Sequence, residues 1–112
     1  MEIGFLAAFV ITNLVEMLVA YFILGKDEKI SLILPVVFCC NLVTMPWVWF
    51  IFPFFLHLPY LQTLLISELF AFIVEIVIYI EAFKNSTRDS SIMAASIGNL
   101  TSFILGLLVA LL

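Results

Sequence analysis

The chain has 112 residues, of which 66% are hydrophobic and 11% charged, with a formal net charge of −4. A soluble domain of this size buries too small a share of its surface to hide so much apolar side chain, so the composition calls for lipid as solvent. The acidic balance supplies no basic face for nucleic acid, and the adjacent Cys39 and Cys40 sit inside an apolar segment and form no disulfide framework.

Four apolar segments are predicted as membrane-spanning helices, over about 3–24, 30–52, 60–83 and 92–112, in one transmembrane domain covering residues 1–112. Each reaches the roughly 20 residues needed to cross about 30 Å of hydrocarbon at 1.5 Å per residue. Strands are not expected, because an open sheet edge cannot be satisfied in lipid and no segment alternates polar with apolar residues. The first segment has neither a basic leader nor a small-residue cleavage site, so it is read as a retained span.

Going along the chain, the first segment carries Asn13 and Glu16 on one face and ends at Gly25-Lys26-Asp27-Glu28-Lys29. The second contains Pro35, Asn41, Thr44 and Pro46 and is expected to close at Pro53. Pro46 has no N–H to give the Leu42 carbonyl. Around the following turn gather Trp47, Trp49, Phe50, Phe52, Phe54, Phe55 and Tyr60, the composition of an interfacial belt. The third segment places Glu68, Phe72, Glu75 and Tyr79 at i, i+4, i+7 and i+11, one predicted stripe with two carboxylates. The polar run 84–91 is read as a loop. The fourth segment then brings Asn99 and Ser102, with Ala95, Gly98, Ser102 and Gly106 as a small-residue packing stripe.

All four basic residues, Lys26, Lys29, Lys84 and Arg88, fall in the first and third connections. The positive-inside rule therefore puts loops 25–29 and 84–91 in the cytoplasm of a multi-pass cell-membrane protein, with both termini outside. The two halves also look alike at their polar positions: Glu16 and Glu75, Tyr21 and Tyr79, Lys26 and Lys84, Asn41 and Asn99, and then Thr44 and Ser102. The expectation is an all-α four-helix membrane bundle of two similar hairpins, 1–52 and 60–112, in a parallel 2+2 repeat.

Glu16, Asn41, Glu75 and Asn99 are all placed near the membrane midplane by their spacing from the loop cations. Asn13, Thr44, Glu68, Tyr79 and Ser102 would support them. Two carboxylates with amide and hydroxyl oxygens form an all-oxygen set suited to a proton or to hard cations such as Na⁺, Mg²⁺, Ca²⁺ or Mn²⁺. An intramembrane carboxylate costs roughly 2.5–3.5 kcal/mol on insertion scales, so interhelical hydrogen bonding alone, which glutamine would provide, explains it poorly. The function expected is a transporter or channel-like component without catalytic residues, acting as a homo-oligomer or with a partner subunit. The alternative is a non-catalytic subunit or assembly factor whose buried Glu and Asn join helices. His57 is a lone histidine in the outer turn and makes no metal site of the usual kind.

The stretch Asn41-Leu-Val-Thr44-Met-Pro46, with Val74-Glu75 and Ser96-Ile-Gly-Asn99-Leu, resembles a group of small prokaryotic four-span membrane proteins with an Asn-Leu-x-Thr-x-Pro motif. The resemblance covers most of the chain and implies a fold but no activity. In size and in its first-helix glutamate the chain is also similar to small multidrug-resistance transporters. It departs from them in Glu68, Glu75, the two Asn-x-x-Thr/Ser motifs and the one-sided loop charge.

Overall fold

The computed structural model describes residues 4–110. Ile3 and Leu111–Leu112, at the ends of the predicted outer spans, and the Tyr60 side chain of the predicted belt lie outside the described residues. Every regular element among the described residues is helical. Helix α1 is Phe5–Leu24, α2 is Ile30–Pro46, a wide π turn covers Trp47–Ile51, α3 is Phe52–Leu56, α4 is Tyr60–Ala82 and α5 is Arg88–Ala110. Four rods are long and apolar enough to cross a membrane, the second running unbroken from Ile30 to Leu56. The molecule's longest extent, 41 Å, exceeds the roughly 30 Å of a hydrocarbon core.

Two boundaries differ from the sequence expectation. Pro53 does not close the second rod. The π turn hands the chain on by a bond from the Phe52 N–H to the Trp47 carbonyl, five residues back, and Pro53 falls in the first turn of α3. The widened turn accommodates a proline that has no N–H to give the carbonyl one turn back. The rod stops at His57, which takes a left-handed conformation (φ 52°). The second change is that α5 starts at Arg88, inside the run read as a loop. Thr87 caps it: its Oγ1 accepts the Ser90 N–H at 3.1 Å and donates to Ser90 Oγ at 2.9 Å. Asp89 in the first turn adds a favourable charge at that end.

The rods form a ring in which α1 touches α2 and α5, and α4 touches the same two, so α1 and α4 face each other across the centre. The α1–α5 seam is the most extensive. Gly98 lies in it, where a Cβ would make ordinary contact with Glu16 Cγ at 3.5 Å. Gly106 does not extend that seam as the stripe predicted, because it faces open space.

Packing is uneven along the axis. Ala20, Leu24, Ile33, Val37, Cys40, Tyr79, Phe83, Ala94 and Ala95 form one buried apolar core. All lie on the side of the two charged loops. Tyr79 and Phe83 stack edge to face at 5.2 Å within it. That end is also tied across its loops: the Glu28 carboxylate, 5% exposed, accepts the Asn85 N–H at 2.8 Å and the Ser86 hydroxyl at 3.5 Å. The opposite half is hollow. Aromatic contacts hold its rim, with Phe5 against Trp49 and Phe50, and Phe70 against Trp47 and Phe52. Phe54 and Phe55 project outward, 70% and 67% exposed, as belt residues would.

Candidate functional site

At the boundary between the packed and hollow halves lie Glu16 of α1 and Glu75 of α4, each 1% exposed. They meet because their helices are diagonal partners. Their carboxylates are within hydrogen-bonding reach of each other. Ser102 of α5 donates its hydroxyl to Glu16 Oε1 at 3.2 Å, and Asn41 of α2 lines the same cavity. Glu16 Oε2 and Glu75 Oε1 are fully buried and have no hydrogen-bond partner. Facing carboxylates are acceptors only when ionised, so the pair requires a proton or another cation between them.

The asparagines take a different role from the one expected of them. Asn13 donates Nδ2 to the Phe9 carbonyl at 2.9 Å, which turns its Oδ1 to Asn41, and Asn41 Nδ2 donates to that oxygen at 3.0 Å. A carbonyl can only accept, so it fixes the orientation of both amides in sequence. Asn41 therefore spends one N–H on Asn13 and not on the carboxylate pair. Asn99 is half-buried on the wall, and Ser102 supplies the bond to Glu16 in its place. Residues three apart differ by about 60° around a helix, and it is Ser102 that continues the Ala95–Gly98 line facing α1. Thr44 is buried, with its hydroxyl donating to the Cys40 carbonyl at 3.0 Å.

The stripe on α4 also shifts. Its buried line is Thr63, Ser67, Ala71, Glu75, Tyr79 and Phe83, every fourth residue, with Glu68 and Phe72 half-buried beside it. Tyr79 belongs to the apolar core, whereas Tyr21 is 49% exposed, so the two tyrosines matched in sequence are not equivalent. Thr63 and Ser67 were missed by sequence reasoning. Their fourfold spacing from Glu75 was the available signal, masked by the carboxylate at position 68.

Above the pair opens a cavity of about 770 Å³, lined by all four rods and running to the turn between α3 and α4. Glu16, Asn41, Glu75, Asn99 and Ser102 line it, with Thr44 and Glu68 on the walls. A side groove of about 330 Å³ between α4 and α5 shares Glu68, Asn99 and Phe103 with it. Among the described residues no three His, Cys, Asp or Glu side chains converge in a way that could hold a metal ion. Compared with models of protein families, with curated proteins and with solved structures, the chain matches none.

Proposed function

We propose that the chain is a non-catalytic membrane carrier component in which the Glu16–Glu75 pair binds and releases a proton, or a small monovalent cation in its place. The observation that carries this reading is the pair of facing, fully buried carboxylates with unpartnered oxygens at the floor of an open cavity. Glue between helices needs no cavity. Ca²⁺ takes roughly six to eight oxygen ligands and Mg²⁺ demands a near-ideal octahedron, whereas no third acidic side chain converges on the pair among the described residues, which favours the proton and Na⁺ over Mg²⁺, Ca²⁺ and Mn²⁺. The titratable groups facing Glu75 are Glu16 from α1 and Cys40 from α2, with Glu68 and Tyr79 on its own helix, while α5 contributes Ser102 and Asn99 to the site.

The same reading includes a twofold relation between the hairpins, loops 25–29 and 84–91 in the cytoplasm, and a hollow half that opens outward. It is supported by the diagonal placement of the glutamates. Buried positions of α2 and α5 also correspond at a constant offset of 58 residues: Ile33 with Ser91, Val37 with Ala95, Cys40 with Gly98, Thr44 with Ser102. Four rods with a half-open interior suit assembly as a homo-oligomer or with a partner subunit.

The test is the thermal midpoint of the purified protein against pH and against Na⁺, Mg²⁺, Ca²⁺ and Mn²⁺, for wild type and Glu75→Gln. A proton bound in the folded state and released on unfolding makes stability fall as pH rises. The expected wild-type midpoint therefore declines with pH and rises with a competent cation at high pH. Glu75→Gln flattens both responses. A wild-type midpoint indifferent to pH and to every cation overturns the proposal.

A further inference from the structure

Among the described residues, hydrogen bonds join the first hairpin to the second at two places besides the facing carboxylates. One is Ser102 to Glu16, on the seam of α1 with α5. The other lies at the outer end of the packed half, where the Glu28 carboxylate takes the Asn85 N–H and the Ser86 hydroxyl. Glu28 stands two residues before α2, and the Asn85–Ser86 turn follows the end of α4, so this contact lies across the end of the α2–α4 seam. That seam is the less extensive of the two between the hairpins. In the packed half its side chains are Ile33, Val37 and Cys40 from α2 and Tyr79 and Phe83 from α4, all members of the apolar core. The hydrophobic effect does little to hold such a seam in lipid, which leaves more of its closure to directional bonds. Both ends of the contact are rooted in the core beneath. The Glu28 N–H bonds the Leu24 carbonyl at 2.9 Å, the Ser86 N–H bonds the Phe83 carbonyl at 3.3 Å, and Leu24 and Phe83 are buried. A displacement of either loop is thereby passed to a side chain that closes the packed half.

We infer that Glu28 is the latch of a gate: when its carboxylate lets go of the Asn85–Ser86 turn, α2 and α4 part at the loop end and the packed half opens a second way to the glutamates. The more extensive α1–α5 seam, with the Ser102 bond to Glu16, stays closed and serves as the line about which the hairpins turn. The hollow half gives access from one end, so release of the latch makes the site reachable from either end in turn. With the Glu16–Glu75 pair taken as the ion site, as proposed above, the latch adds the part that moves. A carboxylate is a charge-assisted acceptor, about twice as strong as a neutral one. Glutamine in its place keeps the shape with a neutral oxygen, and alanine removes the acceptor. Closure is therefore graded, firmest in wild type, weaker in Glu28→Gln and weakest in Glu28→Ala.

The reporter is Cys40, which is buried in the packed half and outside the cavity lining. With Cys39 replaced by alanine, the rate at which an impermeant, positively charged methanethiosulfonate modifies Cys40 is measured at constant pH from each face of sealed membrane vesicles. Asp27→Cys in a cysteine-free protein identifies the face that carries the loops. Wild-type Cys40 should be almost unreactive from both faces. Glu28→Ala should raise the rate from the loop face by about tenfold or more, the worth of a hydrogen bond to a charged group. Glu28→Gln should raise it by less, and neither variant should change the rate from the cavity face. The nearly isosteric glutamine keeps the comparison readable where the alanine variant does not fold. Equal protection of Cys40 in wild type and in both variants overturns the inference. An equal rise from both faces also overturns it, because that is general loosening of the bundle. Loop-face opening in a protein whose midpoint ignores pH and every cation keeps the gate and removes the ion. A midpoint that responds to pH, with Cys40 indifferent to Glu28, removes the gate alone.

Discussion

Asn41 donates an amide N–H to the Asn13 oxygen, which the Phe9 carbonyl has turned toward it, and lines the same cavity as Glu16. Asn41→Leu keeps the volume and removes the donor, leaving a buried amide oxygen unsatisfied at a cost of roughly 1–3 kcal/mol. The expected result is a lower thermal midpoint together with a changed pH response, because the cavity around Glu16 loses a polar side chain. A midpoint that falls with an unaltered pH response would confine Asn41 to packing. Gly98 gives a steric counterpart. Its missing Cβ would sit at ordinary contact distance from Glu16 Cγ, so Gly98→Ala should be tolerated. Gly98→Leu should push α1 from α5 and destabilise by about 1–3 kcal/mol, measurable as loss of the folded bundle on heating in detergent.

At the scale of elements, α5 depends on a cap that composition disguises. Thr87→Ala removes the oxygen that accepts the Ser90 N–H and should cost about 0.5–2 kcal/mol, with fraying confined to 88–91 in hydrogen exchange. The four rods were legible because hydrophobic length is a strong signal and charge marks the connections. The start of α5 was not, since Thr87, Ser90 and Ser91 read equally well as loop until a hydroxyl is seen to bond a backbone N–H. Pro53 misled for a related reason: proline ends a regular helix, but a widened turn before it accommodates the missing donor and the rod continues. The site was legible in its carboxylates, whose insertion cost singles them out. The replacement of Asn99 by Ser102, and of the Glu68 stripe by Thr63 and Ser67, followed from which side of each helix its neighbours occupy. A sequence hydrophobic on every face does not encode that.

For the molecule as a whole, the proposed orientation makes a direct prediction. Single cysteines introduced at Asp27, His57 and Arg88, in a background lacking Cys39 and Cys40, should react with an impermeant reagent at His57 from outside cells. Asp27 and Arg88 should react only after the membrane is opened. His57 is exposed at the end of α3, so its accessibility is not limited by packing. Labelling of His57 from the cytoplasmic side reverses the orientation and, with it, the direction in which the cavity opens.

The division between a hollow half and a dry, apolar half also sets where a transmembrane voltage acts. A potential falls across material that carries no mobile charge or water, so the drop concentrates over Tyr79, Phe83, Leu24, Ile33 and Val37 and hardly touches the mouth of the cavity. One elementary charge moved through a full 100 mV is worth about 2.3 kcal/mol. If the glutamates bind an ion as proposed, binding from the hollow side should be nearly insensitive to voltage, while passage through the packed end would carry most of that energy. The packing of five apolar side chains gives the molecule an electrical polarity that the proposed twofold relation of its hairpins would lack.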